Sequence, residues 1–379
     1  MIKVCEVITD TNIGGAGRLL VTRLSVSDRE KFEFSVLLPR DSELIPELKG
    51  MGIEPYVMEG CKDKSFELRE IPALKGFFDT NKFDIVNCHG CLSARIAACF
   101  SSVPTRIYTR HCAFEPSRLM TSLPVRKING VANRCLSTKI IAVADAAAKN
   151  LTDTGVSSAQ IEVIINGVTG LEKYDDDHRL EVRKRLGIPG DSFVLGICAR
   201  LEECKGIDTL IRAAKLLAND GEKVFVMIMG RGSAEQNLSE LAEALGVSDR
   251  VKFYGFVNDV TPYVNCFDVN INCSRGTETS SLALSEGMSI GLPCIASDFG
   301  GNTYMVRHGV NGLIFPTDDF VALAENIRLL MRDKALYEKM SKNAYERFLS
   351  ELNAKNMARK TEELYSSLFL AARSGKKKC

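Results

Sequence analysis

The sequence predicts an α/β protein made of two doubly wound domains, each built on a parallel sheet. Three observations predict it. Short apolar runs alternate with helical patterns up to residue 143, the same alternation restarts at residue 193, and a glycine-punctuated, charge-rich stretch around 167–190 separates the two series. A chain of 379 residues is long enough to bury two cores.

The first series opens with IKVCEVI at 2–8, followed by TDTNIGGAGR and a helical pattern, which reads as strand, glycine turn and helix. Further strands are expected at 32–38 (FEFSVLL), 84–88 (DIVNC), 104–109 (PTRIYT) and 139–143 (KIIAV). The second series supplies FVLGICA (193–199), a helix over 207–218, KVFVMIMG (223–230), VKFYGF (251–256), VNINC (269–273), PCIASD (293–298) and GLIF (312–315). From about residue 319 the pattern is helical, and SGKKKC reads as a solvated, frayed tail. The expected boundaries are 1–168 for the first domain, 169–190 for a hinge region, 191–354 for the second domain and 355–379 for a terminal helix with its tail. Within the hinge, Asp175, Asp176 and Asp177 read as solvated linker charge.

Bulk composition excludes more than it selects. Lys and Arg total 49 against 48 Asp and Glu, so no general case exists for nucleic acid or a highly acidic partner. The 13 cysteines form no regular framework and read as reduced, packed thiols of a cytosolic protein. No window approaches 18 apolar residues, and the first apolar run is too short for a signal peptide, so a cytoplasmic chain is expected, soluble or peripheral on the inner face of a membrane.

The candidate chemistry sits at turns after strands. Gly14 and Gly15 open the first helix, where backbone N–H groups favour an anion, but Leu20 takes the third glycine position of a dinucleotide fingerprint, which weakens a nicotinamide site. Arg200 and Lys205 flank the loop after 193–199, where an open α/β sheet would hold a diphosphate; Glu202 and Glu203 could instead neutralise them as a surface cluster. After VNINC comes TETSSLALSEGMS, with a helix expected from Ser280 or Ser281 to Gly291. On it Leu282, Ser285, Glu286 and Ser289 share one face, while Glu278 stands ahead of the helix beside the backbone donors of 279–282. The plain alternative makes Glu286 a helix-dipole charge and Glu278 a solvated loop residue. His89 and His111 close two strands of the first series, and neither has a companion at metal-ligand spacing, so no metal is expected. Seven basic residues lie between Arg106 and Lys139 against the single acid Glu115. The stripe Val125, Ile128, Ala132 and Cys135 within that segment suits packing on the domain's own core first and an anionic membrane second.

Taken in order, GGAGR, IINGV (164–168), ARLEECKGIDTLI (199–211), the Glu-x7-Glu of 278–286, GLPCIASDFGGN and HGVNGLIF (308–315) resemble the retaining GT-B glycosyltransferases of family 4 over nearly the whole chain. The resemblance implies two Rossmann-like domains facing a central cleft, with a terminal helix that crosses back toward the first. It implies that Arg200 and Lys205 clamp the donor diphosphate and that Glu286 binds ribose hydroxyls. Glu278, helped by the amides of Thr279, Ser280, Ser281 and Leu282, would hold the transferred sugar. His111 would contact that sugar from the other domain, and Gly14 and Gly15 would let the first loop approach donor and acceptor. The catalytic set is then His111, Arg200, Lys205 and Glu278. Two departures bear on sugar identity: Thr279 stands where the family most often has glycine, and Thr303-Tyr304 where Pro-Glu is frequent.

The implied activity is a retaining transfer from a nucleotide-diphosphate sugar, UDP ahead of GDP, to a hydroxyl of a glycan or lipid-linked saccharide in cell-surface polysaccharide or glycolipid synthesis, without metal or other cofactor. A sugar-nucleotide epimerase of the same architecture and a catalytically silent nucleotide-sugar binder are the alternatives. A glycoside hydrolase fits less well, since its two carboxylates must flank the scissile bond and these come from one loop and its own helix.

Overall fold

The computed structural model describes every residue except Ile13, Cys61, Phe114, Glu115 and 376–379. Glu115 and the end of the tail expected to fray therefore lie outside the described residues. The chain divides into two compact units, Met1–Gly167 with Ala354–Cys379, and Val168–Asn353.

Unit 1 holds a seven-stranded sheet: β1 (Ile2–Ile8), β2 (Phe32–Pro39), β3 (Tyr56–Met58), β4 (Ile85–His89), β5 (Thr105–Arg110), β6 (Lys139–Ala142) and β7 (Ile161–Val163), in the order β3-β2-β1-β4-β5-β6-β7. Every pairing is parallel. Unit 2 holds β8 (Phe193–Cys198), β9 (Val224–Met229), β10 (Val251–Gly255), β11 (Val269–Asn272), β12 (Cys294–Ser297) and β13 (Gly312–Phe315), in the order β10-β9-β8-β11-β12-β13, again all parallel. In each sheet the strand order reverses beside the first strand, between β1 and β4 and between β8 and β11. Such reversals open a crevice at the strands' carboxyl ends.

The strands form where the sequence is apolar enough to be covered on both faces. In β8, Val194, Leu195 and Ile197 are buried, and Gly196 admits the Phe267 ring, which a Cβ there would meet at 2.1 Å. The helix Ile207–Asn219 lays Leu210, Ile211, Ala214 and Leu217 into the same core. The two short edge strands, β3 and β7, escaped the sequence pattern because three residues with exposed Tyr56 and Val57, or half-exposed Ile161, carry almost no apolar period. All cysteines among the described residues are free. Cys88 and Cys91 are spaced C-x-x-C, yet both are buried, and Cys91 Sγ accepts from the Ala94 amide at 3.5 Å as the cap of the helix Leu92–Cys99.

Two segments differ from the sequence-based expectation. The stretch 169–190 is not bare linker: it carries the helix Asp176–Arg185, whose N-cap is Asp175, accepting from the His178 amide at 2.8 Å. Arg179 and Arg183 of that helix hold the Asp268 carboxylate at 2.5 and 2.8 Å, and Asp268 also accepts from the Val194 amide at 2.7 Å. The three aspartates thus begin a helix, where negative charge meets free N–H groups, and the arginines grip unit 2 alongside the buried Val182. The second is the helix Leu123–Leu136, which is built inside out. Its inner face is Arg126, Asn129, Gly130 and Asn133. Arg126 donates to Thr152 O, Asn129 to Thr154 O at 2.8 Å, and a Cβ on Gly130 would lie 2.3 Å from Gly155 O. The Asn133 side chain accepts from Arg95 at 2.7 Å. Of the stripe expected to face the core, Ile128, Ala132 and Cys135 are exposed.

The closing helix, Ala354–Gly375, belongs to unit 1, where Tyr365 is fully buried and donates its hydroxyl to Glu6 at 2.9 Å.

Candidate active site

In unit 2 the loops after β8 and β11 meet at the point where the strand order reverses. Gly206 makes the meeting close: its φ of +61° suits glycine, and a Cβ there would strike Cys273 O at 2.2 Å. The amides of Arg275 and Gly276 donate to Cys204 O at 2.8 and 3.1 Å, which locks one loop on the other. Lys205 is thereby carried to Glu278, with Nζ 2.9 Å from Oε2. Ser274 Oγ and Asn272 Nδ2 donate to the same oxygen at 2.9 and 3.1 Å. Glu278, only 9% exposed, is therefore not a solvated loop residue; it is the acceptor of a buried, charge-assisted cluster.

The segment Asp298–Asn302 supports this loop from below. Gly300, at φ +56°, and Gly301 approach the backbone of 278–279 so closely that Cβ atoms would lie 2.4 Å from Glu278 O and 1.8 Å from Thr279 O. The Gly301 amide donates to Glu278 O at 3.1 Å. Ser297 Oγ donates to Ser274 O at 2.6 Å, and the buried Asn302 donates to Ser297 Oγ at 3.0 Å.

Of the two expected helix starts, Ser281 is the cap: its Oγ accepts from the Leu284 amide at 3.3 Å, and the helix runs Leu282–Ser289 with Gly291 just beyond at φ +82°. Ser280 reaches Met305 Sδ at 3.8 Å. Gly287 packs on β11, where a Cβ would lie 2.2 Å from Asn270 Nδ2. Ser285 and Ser289 are buried, while Glu286 is half-buried. Burial, with the Glu286 carboxylate nearby, pushes the Cys198 thiol up. Cys198 ends β8 and lines a cavity of about 370 Å³ together with Arg200, Gly230, Arg231, Phe256 and Val260.

Arg200 and Lys205 therefore occupy different surroundings, Arg200 exposed at the cavity and Lys205 paired with Glu278. Glu202 accepts from the Ser233 hydroxyl at 2.8 Å, and that bond, with the Arg200 charge nearby, holds its carboxyl below the usual range. Arg231, Asn272, Ser274 and Asn302 were missed in the sequence. Arg231 had a readable signal, an arginine one glycine past a buried strand; the three polar residues had none, because they act only by meeting at strand ends.

Unit 1 contains a second polar assembly. His111 Nε2 lies 2.7 Å from His89 Nδ1, and His89 Nε2 lies 2.9 Å from Glu6 Oε2. Glu6 Oε2 also accepts from Asn87 at 2.8 Å, and Oε1 from Tyr365 at 2.9 Å and from Arg23. Burial acts to raise the Glu6 carboxyl, but Arg23 and His89 outweigh it and hold the group at about 2. Burial, with His89 beside it, lowers His111 to about 3, so the ring is neutral at ordinary pH, and its Nδ1 has no hydrogen-bond partner. His111 is thus the end of a Glu6–His89–His111 chain and not the lone strand-end histidine expected. Glu6, an acid inside an apolar strand, was the signal for it. Gly14 caps the helix Gly15–Ser25, and a Cβ on Gly15 would meet nothing within 4 Å, so packing within the chain does not demand glycine there.

Among the described residues no group of three or more His, Cys, Asp or Glu side chains is placed to hold a metal, and no helix is long and apolar enough to cross a membrane.

The two units match two family descriptions, Glycosyltransferase Family 4 over residues 13–169 and Glycosyl transferases group 1 over residues 178–347. EpsD of Bacillus subtilis, a glycosyltransferase by name, is 30% identical over 277 residues, 70% of this chain and 72% of that protein. The Escherichia coli UDP-Gal:alpha-D-GlcNAc-diphosphoundecaprenol alpha-1,3-galactosyltransferase is 26% identical over 377 residues, covering 96% of both chains. Among solved structures, Anabaena HepE in complex with UDP superposes with a TM-score of 0.82 at 22% identity, over 97% of this chain and all of that one. Switch-point crevice, paired glutamate motif and these matches converge on one assignment: the chain belongs to the family 4, group 1 glycosyltransferases and has the GT-B fold.

Proposed function

We propose that this glycosyltransferase moves a sugar from a UDP-sugar to a hydroxyl of a lipid-linked saccharide, with retention of anomeric configuration and without a metal. The observation that carries the reading is the Lys205–Glu278 pair at the β8/β11 switch point, beside the cavity that Arg200 lines. UDP is preferred over GDP because HepE was solved with UDP and the Escherichia coli relative carries a UDP-galactose donor in its name. The lipid-linked acceptor follows that relative's diphosphoundecaprenol substrate.

In this reading Glu286 accepts the ribose hydroxyls, and Arg200 and Lys205 face the diphosphate. Lys205 holds Glu278 without donor, and the incoming phosphate competes for the same ammonium. As the glycosidic bond to phosphate breaks, negative charge grows on the leaving oxygen, and the two fixed cations stabilise it without reorganising. Released Glu278, with the amides of Thr279, Ser280, Ser281 and Leu282, holds hydroxyls of the sugar. The leaving phosphate oxygen takes the acceptor's proton on the face it departs from, so the new bond forms on that face and no enzyme nucleophile is needed. His111 is assigned a contact with the transferred sugar, and Gly14 and Gly15 the close approach of the first loop to donor and acceptor.

The test is a donor screen by thermal shift over UDP-, GDP- and ADP-sugars, since a ligand bound only by the folded chain raises its midpoint. Proton NMR of the first product then reads the anomeric coupling. A UDP-sugar shift and a product with the donor's anomeric configuration are expected; preference for GDP- or ADP-sugars, an inverted product, or strict dependence on a divalent ion overturns the reading.

A further inference from the structure

The hydrogen bonds around Glu6 fix which ring nitrogens of unit 1 carry hydrogen. Glu6 stands in β1, His89 ends β4 and His111 directly follows β5, so three neighbouring parallel strands bring the three groups together. The ionised Glu6 carboxylate can only accept, and donors surround it: Arg23 and the Tyr365 hydroxyl on Oε1, Asn87 and His89 Nε2 on Oε2. His89 Nε2 must therefore carry a hydrogen. Arg23 already balances the Glu6 charge, and Asp10, the other acid whose charge acts on His89, makes no hydrogen bond to its ring among the described residues, so no acid is left to pair with a second buried cation at His89. With both rings neutral, His89 Nδ1 is bare, and the hydrogen of the 2.7 Å contact between the rings belongs to His111 Nε2. His111 then has no hydrogen for Nδ1, the buried nitrogen that no donor of the described residues meets.

We propose that Glu6 and His89 are positioning residues for the transfer: they hold His111 as the Nε2–H tautomer, so that its Nδ1 meets the transferred sugar as an acceptor and takes a hydrogen bond from a hydroxyl. A phosphate oxygen, which at neutral pH only accepts, is refused at this nitrogen, so the contact is distinct from the diphosphate assigned to Arg200 and Lys205. The closing helix belongs to the same device. Its Tyr365 is fully buried, donates to Glu6 at 2.9 Å and accepts from Asn87 at 3.0 Å, which leaves the Glu6 carboxylate one orientation. A ring fixed in this way presents one lone pair in one direction, whereas an unrestrained imidazole would divide its time between donor and acceptor. The inference deepens the His111 contact of the proposed function and rests on that reading for its purpose; the placing of the hydrogens rests on unit 1 alone.

The test is ring nitrogen-15 NMR of the full chain labelled at its 4 histidines, at mildly alkaline pH, with the His111 signals identified by their loss in His111→Asn. Protonated and bare ring nitrogens resonate far apart, and the expected spectrum has His111 Nε2 protonated and Nδ1 bare. His89→Leu removes the acceptor and should let the hydrogen exchange between the two nitrogens. His89→Gln should restore the parent pattern, because its amide can donate to Glu6 and accept from His111. Glu6 keeps Arg23, Asn87 and Tyr365 in both variants. Turnover of the UDP-sugar that stabilises the parent most should fall roughly tenfold in His89→Leu, about one hydrogen bond lost from the transition state, with KM and UDP affinity held, and should recover in His89→Gln. A hydrogen on His111 Nδ1 of the parent overturns the proposal, and that spectrum needs no variant to fold. Parental turnover in His89→Leu, or a loss that His89→Gln does not relieve, overturns it as well. UDP titration keeps the two readings apart: UDP binding with a hydrogen on Nδ1 defeats only the tautomer, and the expected spectrum in a chain that takes up no UDP defeats only the donor reading.

Discussion

Removing the Lys205 ammonium should strand a carboxylate. Glu278 is 9% exposed, and its Oε2 receives one charged donor and two neutral ones, at 2.9, 2.9 and 3.1 Å. Lys205→Ala leaves Ser274 and Asn272 in place but deletes the charge-assisted bond, a loss of roughly 1.5–3 kcal/mol. That is less than the roughly 3–5 kcal/mol of a buried ion pair broken outright, because two donors remain. Glu278→Gln alone should cost less, since an amide oxygen can keep Ser274 and Asn272. In the double variant no uncompensated charge remains, so the effects should not add: a coupling energy of about 1.5–3 kcal/mol is expected. Hydrogen exchange at the β8 and β11 amides measures it, because those strands flank the pair and open only with unit 2. Effects that add to within about 0.5 kcal/mol would mean that Lys205 and Glu278 do not sense each other, and the geometry drawn for the site would be wrong.

Two further outcomes follow from the same physics. His111 titrates at about 3 in the folded chain against the ordinary 6.5, so the unfolded chain binds the extra proton first and stability falls as pH drops below 6.5, by about 2 kcal/mol at pH 5. Glu6, at about 2 against 4.5, adds its own loss only below pH 4.5. Calorimetric midpoints between pH 6.5 and 5 should therefore flatten in His111→Asn, and an unchanged slope would refute the neutral ring. Gly206→Ala meets both a φ of +61° and the Cys273 carbonyl, so a loss of at least roughly 1–2 kcal/mol from backbone strain alone is expected, with weakened nucleotide binding as Lys205 shifts. Unaltered stability and binding in that variant would show that the two loops are not locked together.

Most of the framework was legible because strands covered on both faces write themselves as apolar runs. β1 was placed residue for residue, and β8, β9 and β11 to within one or two. What was hidden had a common cause: contacts between residues far apart in sequence. Glu6 meets Tyr365 across 359 positions and Asn87 across 81, so neither partner could be read from its own neighbourhood. The helix Asp176–Arg185 looked like linker because arginines tie it down through Asp268 and a single aliphatic, Val182, is buried, too little for an apolar period. The helix Leu123–Leu136 misled in the opposite sense. Its apolar period was real, but Gly130 against Gly155 turned the polar side inward. The site residues Arg200, Lys205, Glu278 and Glu286 were legible as types at strand ends. That Lys205 would pair with Glu278, while Arg200 lines the cavity with Arg231, depended on how closely Gly206 lets the two loops approach.

The central claim is that unit 2 binds a uridine diphosphate at the β8/β11 switch point through Glu286 and the Arg200 cavity. Isothermal titration of UDP into the parent chain, Glu286→Gln and Arg200→Ala tests it most directly. The account predicts saturable one-site binding by the parent, weakened in Glu286→Gln by about 10- to 150-fold, the equivalent of roughly 1.5–3 kcal/mol for a hydrogen bond to a charged group, and weakened also in Arg200→Ala. A parent chain that takes up no UDP, or two variants that bind it as tightly as the parent, would contradict the account.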